Sequence, residues 1–301
     1  MFDKSIDVAI PVHNRARELD RALSSLCAQH DQDFRVIVCD DGSSDDLSSV
    51  IDYWKTALCI DFIRINPSGG PARPRNICVQ RSKAAWISFL DSDDWWFPHK
   101  IGEIRAALSE GVDFVYHPLK IERGLDRAAL GFRRREVVGF PVLGPDVIMH
   151  MLRRGNPVAT SGATVRRNTI LSVGGFDEHL NRSAVEDFDC WLRLAARGAH
   201  FKFCPQVLGN YWFGGGNISS DLPRQYARYR KLFDKQLGML PTKYIAEATS
   251  HFNYQLGMQA GALNMPERYS HLIHVRPQFG LLRWMRSQLV LASRAWRRPS
   301  R

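Results

Sequence analysis

Through the first 120 residues, short apolar β-rich runs alternate with helical patterns, and few chain folds accommodate that order. Ile6 to Val12 reads as a strand, and Ala16 to Gln29 as a helix with Leu19, Leu23 and Leu26 on one face. Phe34 to Cys39, Ile60 to Ile65, Trp86 to Leu90 and Asp113 to Leu119 follow as strands. Ser44 to Lys55, Pro71 to Ser82 and Phe97 to Glu110 are the helices between them. Alternation of this kind predicts an α/β fold with a mainly parallel sheet covered on both faces. Such sheets bind ligands outside the carboxyl ends of their strands. Two acidic groups, Asp40-Asp41 after the second strand and Asp91-Ser92-Asp93-Asp94 after the fourth, are thereby brought to one crevice.

Carboxylates crowded at the end of a buried strand repel one another and lose hydration, which a cation relieves. Asp oxygens are hard ligands suited to Mg²⁺ or Mn²⁺, and Mg²⁺ commonly shares its coordination with substrate phosphates. The cluster therefore points to a phosphorylated substrate. The alternative is a helix N-cap at Asp93 or Asp94, although one cap needs only one Asp.

At 301 residues, 45% of them hydrophobic, the chain can bury the core of one large domain, or of a domain with an extension. Cys27, Cys39, Cys59, Cys78, Cys190 and Cys204 lie far apart, without zinc or redox spacing, so free thiols in a reducing compartment are expected. No basic-then-apolar leader opens the sequence, and no run reaches the ~18 apolar residues of a membrane span. A cytoplasmic location is the expectation. The net charge of +10 is concentrated near the end, where seven arginines and no acidic residue lie between Arg276 and Arg301. No nucleic-acid-binding motif accompanies this charge, so nucleic acid is not an expected partner.

Ile10-Pro11-Val12-His13-Asn14, Asp40-Asp41-Gly42-Ser43-Ser44-Asp45, Arg75-Asn76, Asp91-Ser92-Asp93-Asp94, Gly174-Gly175-Phe176-Asp177 and Glu186-Asp187 occur in this order. In this order and over about Ile6 to Ser219, the chain resembles family 2 glycosyltransferases of GT-A fold. That resemblance implies a Rossmann-like mixed, mainly parallel sheet flanked by helices. It also implies metal-dependent transfer of a sugar from a nucleotide diphosphate to an acceptor hydroxyl, with inversion at the anomeric carbon. A catalytic domain would cover 1–220, with a nucleotide-binding half at about 1–120 and an acceptor half at about 121–220. A helical extension would cover 221–301.

The resemblance also implies roles for single residues. Pro11 and Asn14 belong to the loop over the base and ribose, Asp91 to the ribose, and Asp93 to the Mn²⁺ or Mg²⁺ that bridges the diphosphate. Asp187 is the base that takes the acceptor proton, Glu186 orients the acceptor, and Asp177 lies in a turn shaping the acceptor side. Read physically, Asp40 at a strand end suits acceptance of a hydrogen bond from uracil N3–H, which disfavours cytosine and leaves guanine open, or alternatively turn chemistry before a helix. Arg75 follows the turn Gly69-Gly70-Pro71, where helix N–H groups approach a phosphate, or else it lies on a solvated helix face. Trp95 walls the sugar site or packs in the core. Glu186 and Asp187, read without the resemblance, simply suit the dipole at the start of an amphipathic helix.

At Tyr211-Trp212-Phe213-Gly214 the sequence departs from the family, whose members often carry Arg and His where Trp212 and Gly214 stand. Beyond Ser220, Arg224 to Leu240, Tyr244 to Leu263 and Pro266 to His274 read as helices. In the tail, Leu281, Leu282, Met285, Leu289 and Trp296 share one helical face, with Arg283, Arg286, Arg294, Arg297 and Arg298 on the other. Residues 278–301 therefore suit contact with an anionic membrane on its inner face, or docking on the protein. The expected function is glycan synthesis for a cell-surface or exopolysaccharide product, with a nucleotide diphosphate sugar and a glycan or lipid-linked glycan as partners. A nonenzymatic nucleotide-sugar-binding relative and a sugar nucleotidyltransferase are the alternatives.

Overall fold

The computed structural model describes residues 2–123, 136–142, 146–180, 185–214 and 222–296. In chain order its elements are β1 (Ile6–Val12), α1 (Ala16–Cys27), β2 (Phe34–Asp40), α2 (Leu47–Trp54), β3 (Ile60–Arg64), α3 (Ala72–Arg81) and β4 (Trp86–Phe89). There follow β5 (Trp95–Trp96), α4 (Lys100–Ala107), β6 (Phe114–Tyr116), β7 (Leu119–Arg123), β8 (Val137–Val138), α5 (Val147–Arg154), β9 (Ala163–Arg166) and α6 (Arg167–Ser172). The remainder are α7 (Glu186–Ala196), β10 (Phe201–Phe203), β11 (Gly209–Phe213), α8 (Leu222–Met239), α9 (Thr242–Ala262), α10 (Glu267–Leu272) and α11 (Leu281–Trp296). They form two compact units. The first holds the described residues of 1–147, 156–182 and 186–217, and the second those of 148–155, 183–185 and 218–301.

The first unit contains a seven-stranded sheet in the order β10-β6-β9-β4-β1-β2-β3. β1 is parallel to β2 and β4, and β2 to β3, as the repeated strand–helix order requires. β9 enters between β4 and β6 antiparallel to both, which makes the sheet mixed. All seven residues of β1 are buried, the near-continuous apolar pattern of a strand covered on both faces. Leu19, Leu23 and Leu26 of α1 join Val8, Ile10, Val36 and Val38 in the core, so the leucine spacing marks the buried face of that helix. A second sheet, β5-β11-β7-β8, belongs to the same unit.

Two sequence boundaries are corrected. The helix predicted from Phe97 begins only at Lys100, because Trp95 and Trp96 pair with Asn210 and Gly209 as an antiparallel strand. The strand predicted over Asp113 to Leu119 breaks after Tyr116, where His117 precedes Pro118, a residue with no N–H for a ladder. Pro11 itself is tolerated inside β1 because the ladder with β4 covers only Ile6 to Ala9. None of the six cysteines forms a disulfide, and four of them are buried.

Lys100 is fully buried, its Nζ donating to Ser88 Oγ at 3.0 Å and lying 3.4 Å from the centre of the Trp96 ring. Burial pushes this amine well below its ordinary pKa. The same cause takes the nearby His117 imidazole down to about 3.

The second unit is helical. Tyr226, Leu256 and Ala260 form one apolar cluster across α8 and α9, while Tyr254, Leu272 and Val275 take Trp284, Val290 and Leu291 of α11 against them. Among the described residues no helix is long and apolar enough to cross a membrane.

Candidate functional site

Because β2, β1 and β4 are parallel neighbours, their carboxyl ends deliver Asp40, Asn14 and Asp91 to one edge of the sheet. Asn14 adopts φ 51°, a left-handed conformation that Asn tolerates better than most residues. Its Oδ1 accepts from Ser44 N at 2.7 Å, and its own N–H donates to Ser43 Oγ at 2.9 Å. The loops after β1 and β2 are thereby clamped together. Pro11 lies buried within β1, two residues before that loop begins at His13.

Asp40 is completely buried, with Oδ1 accepting from Ser43 N at 2.8 Å and Ser43 Oγ at 2.6 Å. Its Oδ2 lies 3.4 Å from Arg64 Nε but receives no hydrogen bond. Asp41 holds the next loop by accepting from Ser68 N at 2.6 Å and Gly69 N at 3.1 Å. The positive φ of Gly42 lets the turn between these two carboxylates pass against Pro67, where a side chain would collide.

At the centre stands Arg75. It is buried on α3, with Nη2 2.6 Å from Asp91 Oδ1 and Nη1 2.7 Å from Glu186 Oε1. Burial alone would lower its pKa, but Asp91 and Glu186 outweigh that and hold the guanidinium above its ordinary value. One arginine thus ties the end of β4 to the start of α7, 111 residues away. Removing one partner of such a buried pair typically costs ~3–5 kcal/mol. Glu186 Oε2 remains buried without a hydrogen-bond partner.

Asp187, beside this pair, accepts from Asn156 Nδ2 at 3.0 Å and Thr160 Oγ1 at 3.2 Å. Burial, then the neighbouring Glu186 charge, push its carboxyl up to about 7, against the pull of Arg75. A carboxyl poised near neutral pH is suited to accept a proton from a hydroxyl. Behind it, Asn76 accepts from Phe176 N at 2.8 Å and donates to Phe176 O at 2.8 Å, fixing the glycine turn to α3. Gly175 has φ 71° and sits against the Asn76 amide, so only glycine fits there. Asp177 accepts from His179 N at 2.9 Å and opens a single 3-10 turn.

The three aspartates after β4 diverge. Asp91 faces Arg75. Asp94 is buried, receiving Ser161 Oγ on one oxygen and Trp212 N at 2.8 Å on the other. Burial, with Asp93 and Asp91 nearby, pushes Asp94 well above the usual carboxylate range. Asp93 meets Arg15, Nη1 to Oδ2 at 2.7 Å, and its backbone carbonyl accepts from Arg21 Nη2 at 2.6 Å. Trp95 lies under the Arg21 guanidinium at 4.0 Å, with Trp212 5.0 Å from the same group. Trp95 therefore holds an arginine in place.

Among the described residues, no three of His, Cys, Asp and Glu converge into a ready-made metal cage. Asp93 nevertheless fits one divalent cation shared with a diphosphate. It offers hard oxygen and is 20% exposed, and Mg²⁺ is commonly held by one or two carboxylates plus substrate phosphates. Arg15, Arg21, Asn156, Thr160 and Ser161 were not marked by the sequence. Only the position of Arg15, directly after Asn14, offered a signal. Gly215 to Ser219 of the departing motif lie outside the described residues.

A family model described as Glycosyl transferase family 2 matches residues 7–172, and one described as Glycosyltransferase like family 2 matches 155–239. The chain is 27% identical over 192 residues to an uncharacterized glycosyltransferase of Haemophilus influenzae, covering 63% of this chain and 61% of that protein. It is 28% identical over 243 residues to the succinoglycan biosynthesis protein ExoU of Rhizobium meliloti, covering 75% of this chain and 68% of that one. To the Escherichia coli UDP-Glc:alpha-D-GlcNAc-diphosphoundecaprenol beta-1,3-glucosyltransferase WfaP it is 23% identical, over 78% of this chain and 87% of that one. An uncharacterized glycosyltransferase of Rickettsia bellii matches at 33% over 40% of this chain, a span that is only 17% of its own length. The chain thus spans about three fifths of the first of these relatives and a small part of the last.

The fold is that of Staphylococcus aureus TarS in complex with UDP-GlcNAc, with a TM-score of 0.67 at 18% identity over 91% of this chain and 82% of that one. The mannosyltransferase PcManGT of Pyrobaculum calidifontis, in complex with GDP-Man and Mn²⁺, gives 0.62 at 16% identity over 97% and 82%. Since the family model spans β1 through α6, more than half of the chain, the chain belongs to glycosyltransferase family 2.

Proposed function

We propose that this glycosyltransferase moves a sugar, with inversion, from a nucleotide diphosphate donor to an acceptor hydroxyl in cell-surface or exopolysaccharide synthesis. The observation that carries this reading is Arg75, which joins Asp91 at the donor edge to Glu186 at the start of α7, beside a carboxyl raised to about 7. In the transfer the acceptor O–H gives its proton to Asp187 as its oxygen bonds to the anomeric carbon. The bond from that carbon to the diphosphate breaks, and its electron pair leaves with the nucleoside diphosphate. Mn²⁺ or Mg²⁺ on Asp93 would offset the charge gathering on the leaving group. Glu186, with one oxygen on Arg75 and the other unpaired, orients the acceptor, and Asp177 belongs to the same side. Pro11 and Asn14 shape the nucleoside loop, and Trp95 holds its Arg21 wall.

Residues 1–220 act as the catalytic domain, with 221–301 as its helical extension. Asp40 Oδ2 accepts no hydrogen bond, and uracil N3–H or guanine N1–H supplies a donor where cytosine N3 does not; of the two bases, uracil and hence a UDP-sugar is the expected one. Two relatives support the setting by name, a succinoglycan biosynthesis protein and a transferase acting on a diphosphoundecaprenol-linked sugar. A screen of nucleotide sugars with Mn²⁺ or Mg²⁺, detecting released nucleoside diphosphate, tests the whole reading. Release from a UDP-sugar is expected. Binding of UDP, GDP and CDP with equal affinity would remove the uracil assignment, and binding without turnover would favour the nonenzymatic alternative.

A membrane-surface site of action rests on α11. Trp284, Val290 and Leu291 face the helical unit, yet Leu281, Leu282, Met285 and Leu289 are 59%, 75%, 48% and 72% exposed, with Arg286 beside them. The helix therefore docks and still presents a second apolar face. Arg283 differs from the expected cationic face: it turns inward to His251, the Arg153 carbonyl and the Tyr254 ring. The side chains of Arg294 and Trp296, together with Arg297 and Arg298, lie outside the described residues. The full chain is expected to float with vesicles containing anionic lipid, and the double substitution Leu282→Glu with Leu289→Glu to abolish this. Equal flotation of parent and variant would end the membrane proposal.

A further inference from the structure

Asp93, the carboxylate that fits a cation shared with a diphosphate, is already paired with a protein cation. Arg15 Nη1 stands 2.7 Å from Asp93 Oδ2, and both side chains keep partial exposure, 23% and 20%. Arg15 occupies the N-cap of α1, where Ser, Thr, Asp or Asn would ordinarily satisfy the helix N–H groups, and it makes no side-chain cap bond. Asp45, reaching from the neighbouring loop, accepts from Ala16 N at 2.7 Å instead. The Arg15 side chain is thus spared for a carboxylate 78 residues away.

Arg21, further along the same helix, secures the Asp93 carbonyl, with its guanidinium over Trp95 and near Trp212. Its contact leaves the Asp93 carboxylate untouched, so Arg21 can stay when that carboxylate changes partner. Arg15 cannot. A divalent cation on the same oxygen would face a guanidinium at hydrogen-bond distance, and two positive charges so close repel strongly in a partly dry site. Cation binding at Asp93 therefore requires the guanidinium to withdraw. The nearest new anion is the diphosphate that the cation brings with it.

We infer that Arg15 is an exchangeable counter-ion, paired with Asp93 while the site is empty and handed to the diphosphate when a divalent cation takes the carboxylate. This rests on the donor and metal reading above and adds Arg15, the residue directly after the Ile10–Asn14 motif. Metal and nucleotide then bind in a mutually dependent manner, each strengthening the other by the same factor. Arg15 is a positioning residue in the empty site and a diphosphate contact in the filled one.

The test uses the full chain in three forms: parent, Arg15→Ser, which removes the cation while supplying a preferred N-cap, and Arg15→Lys, which retains a charge. Free Mn²⁺ is read by electron paramagnetic resonance without nucleotide, then with UDP, and with pyrophosphate as a base-independent probe. Without nucleotide, Arg15→Ser is expected to bind Mn²⁺ about tenfold more tightly than the parent, and with saturating Mn²⁺ to bind UDP and pyrophosphate about tenfold more weakly. Arg15→Lys should fall near the parent in both. Unchanged or weaker Mn²⁺ binding by Arg15→Ser without nucleotide would overturn the counter-ion role, and unchanged diphosphate affinity would overturn the hand-over. If the parent binds Mn²⁺ but neither UDP nor pyrophosphate, the donor reading itself fails, while the Mn²⁺ comparison still decides the counter-ion.

Discussion

Asp187→Asn is expected to bind nucleotide and metal nearly as the parent does while sugar transfer falls by about 10² or more. The substitution keeps the size of the side chain and its contacts with Asn156 and Thr160, but it removes the carboxyl proposed to take the acceptor proton. Asp93→Ala is the matching control, because it should lose metal-dependent nucleotide binding together with turnover. Calorimetry for binding and release of nucleoside diphosphate for turnover separate the two. Transfer by Asp187→Asn at close to the parent rate would reduce Glu186-Asp187 to a favourable helix start.

The acidic edge of the sheet is written in the sequence because it depends on local order. Apolar runs that alternate with leucine-spaced helices place Asp40 and Asp91 at neighbouring strand ends, and the parallel pairing of β1 with β2 and β4 does the rest. The GT-A fold is legible for the same reason. Contacts between segments far apart in sequence were not legible. Nothing in the spacing of Arg75 and Glu186 shows that they meet, or that Asn156 and Thr160 hold Asp187. Antiparallel β9, which carries Thr164 to Ser88, is too short for its period to mark its direction.

Trp212 shows how a departure from the family can be read only in three dimensions. In sequence it replaces an arginine that family members often carry, and it reads as a lost charge. In the structure its N–H fixes Asp94, and its ring lies 5.0 Å from the Arg21 guanidinium, so α1 supplies positive charge at this edge. Asp93 is likewise an acidic motif residue whose partner, Arg15, belongs to another segment. Side-chain partners across the sheet are set by tertiary packing, which composition and periodicity do not encode.

If the buried carboxylate at the start of α7 takes the acceptor proton, the pH dependence of kcat/KM measures it directly, since that quantity reports groups of the free enzyme. The base works only when ionised, so a carboxyl raised to about 7 keeps the rate high above that pH and loses it below. Following nucleoside diphosphate release from about pH 5 to about pH 9 should give an acid limb with its midpoint near 7, falling about tenfold per unit beneath it. In Glu186→Gln the neighbouring negative charge is gone, and the midpoint should move to lower pH. A parent profile that is flat across this range, or a limb that survives unchanged in Asp187→Asn, would contradict the role of Asp187.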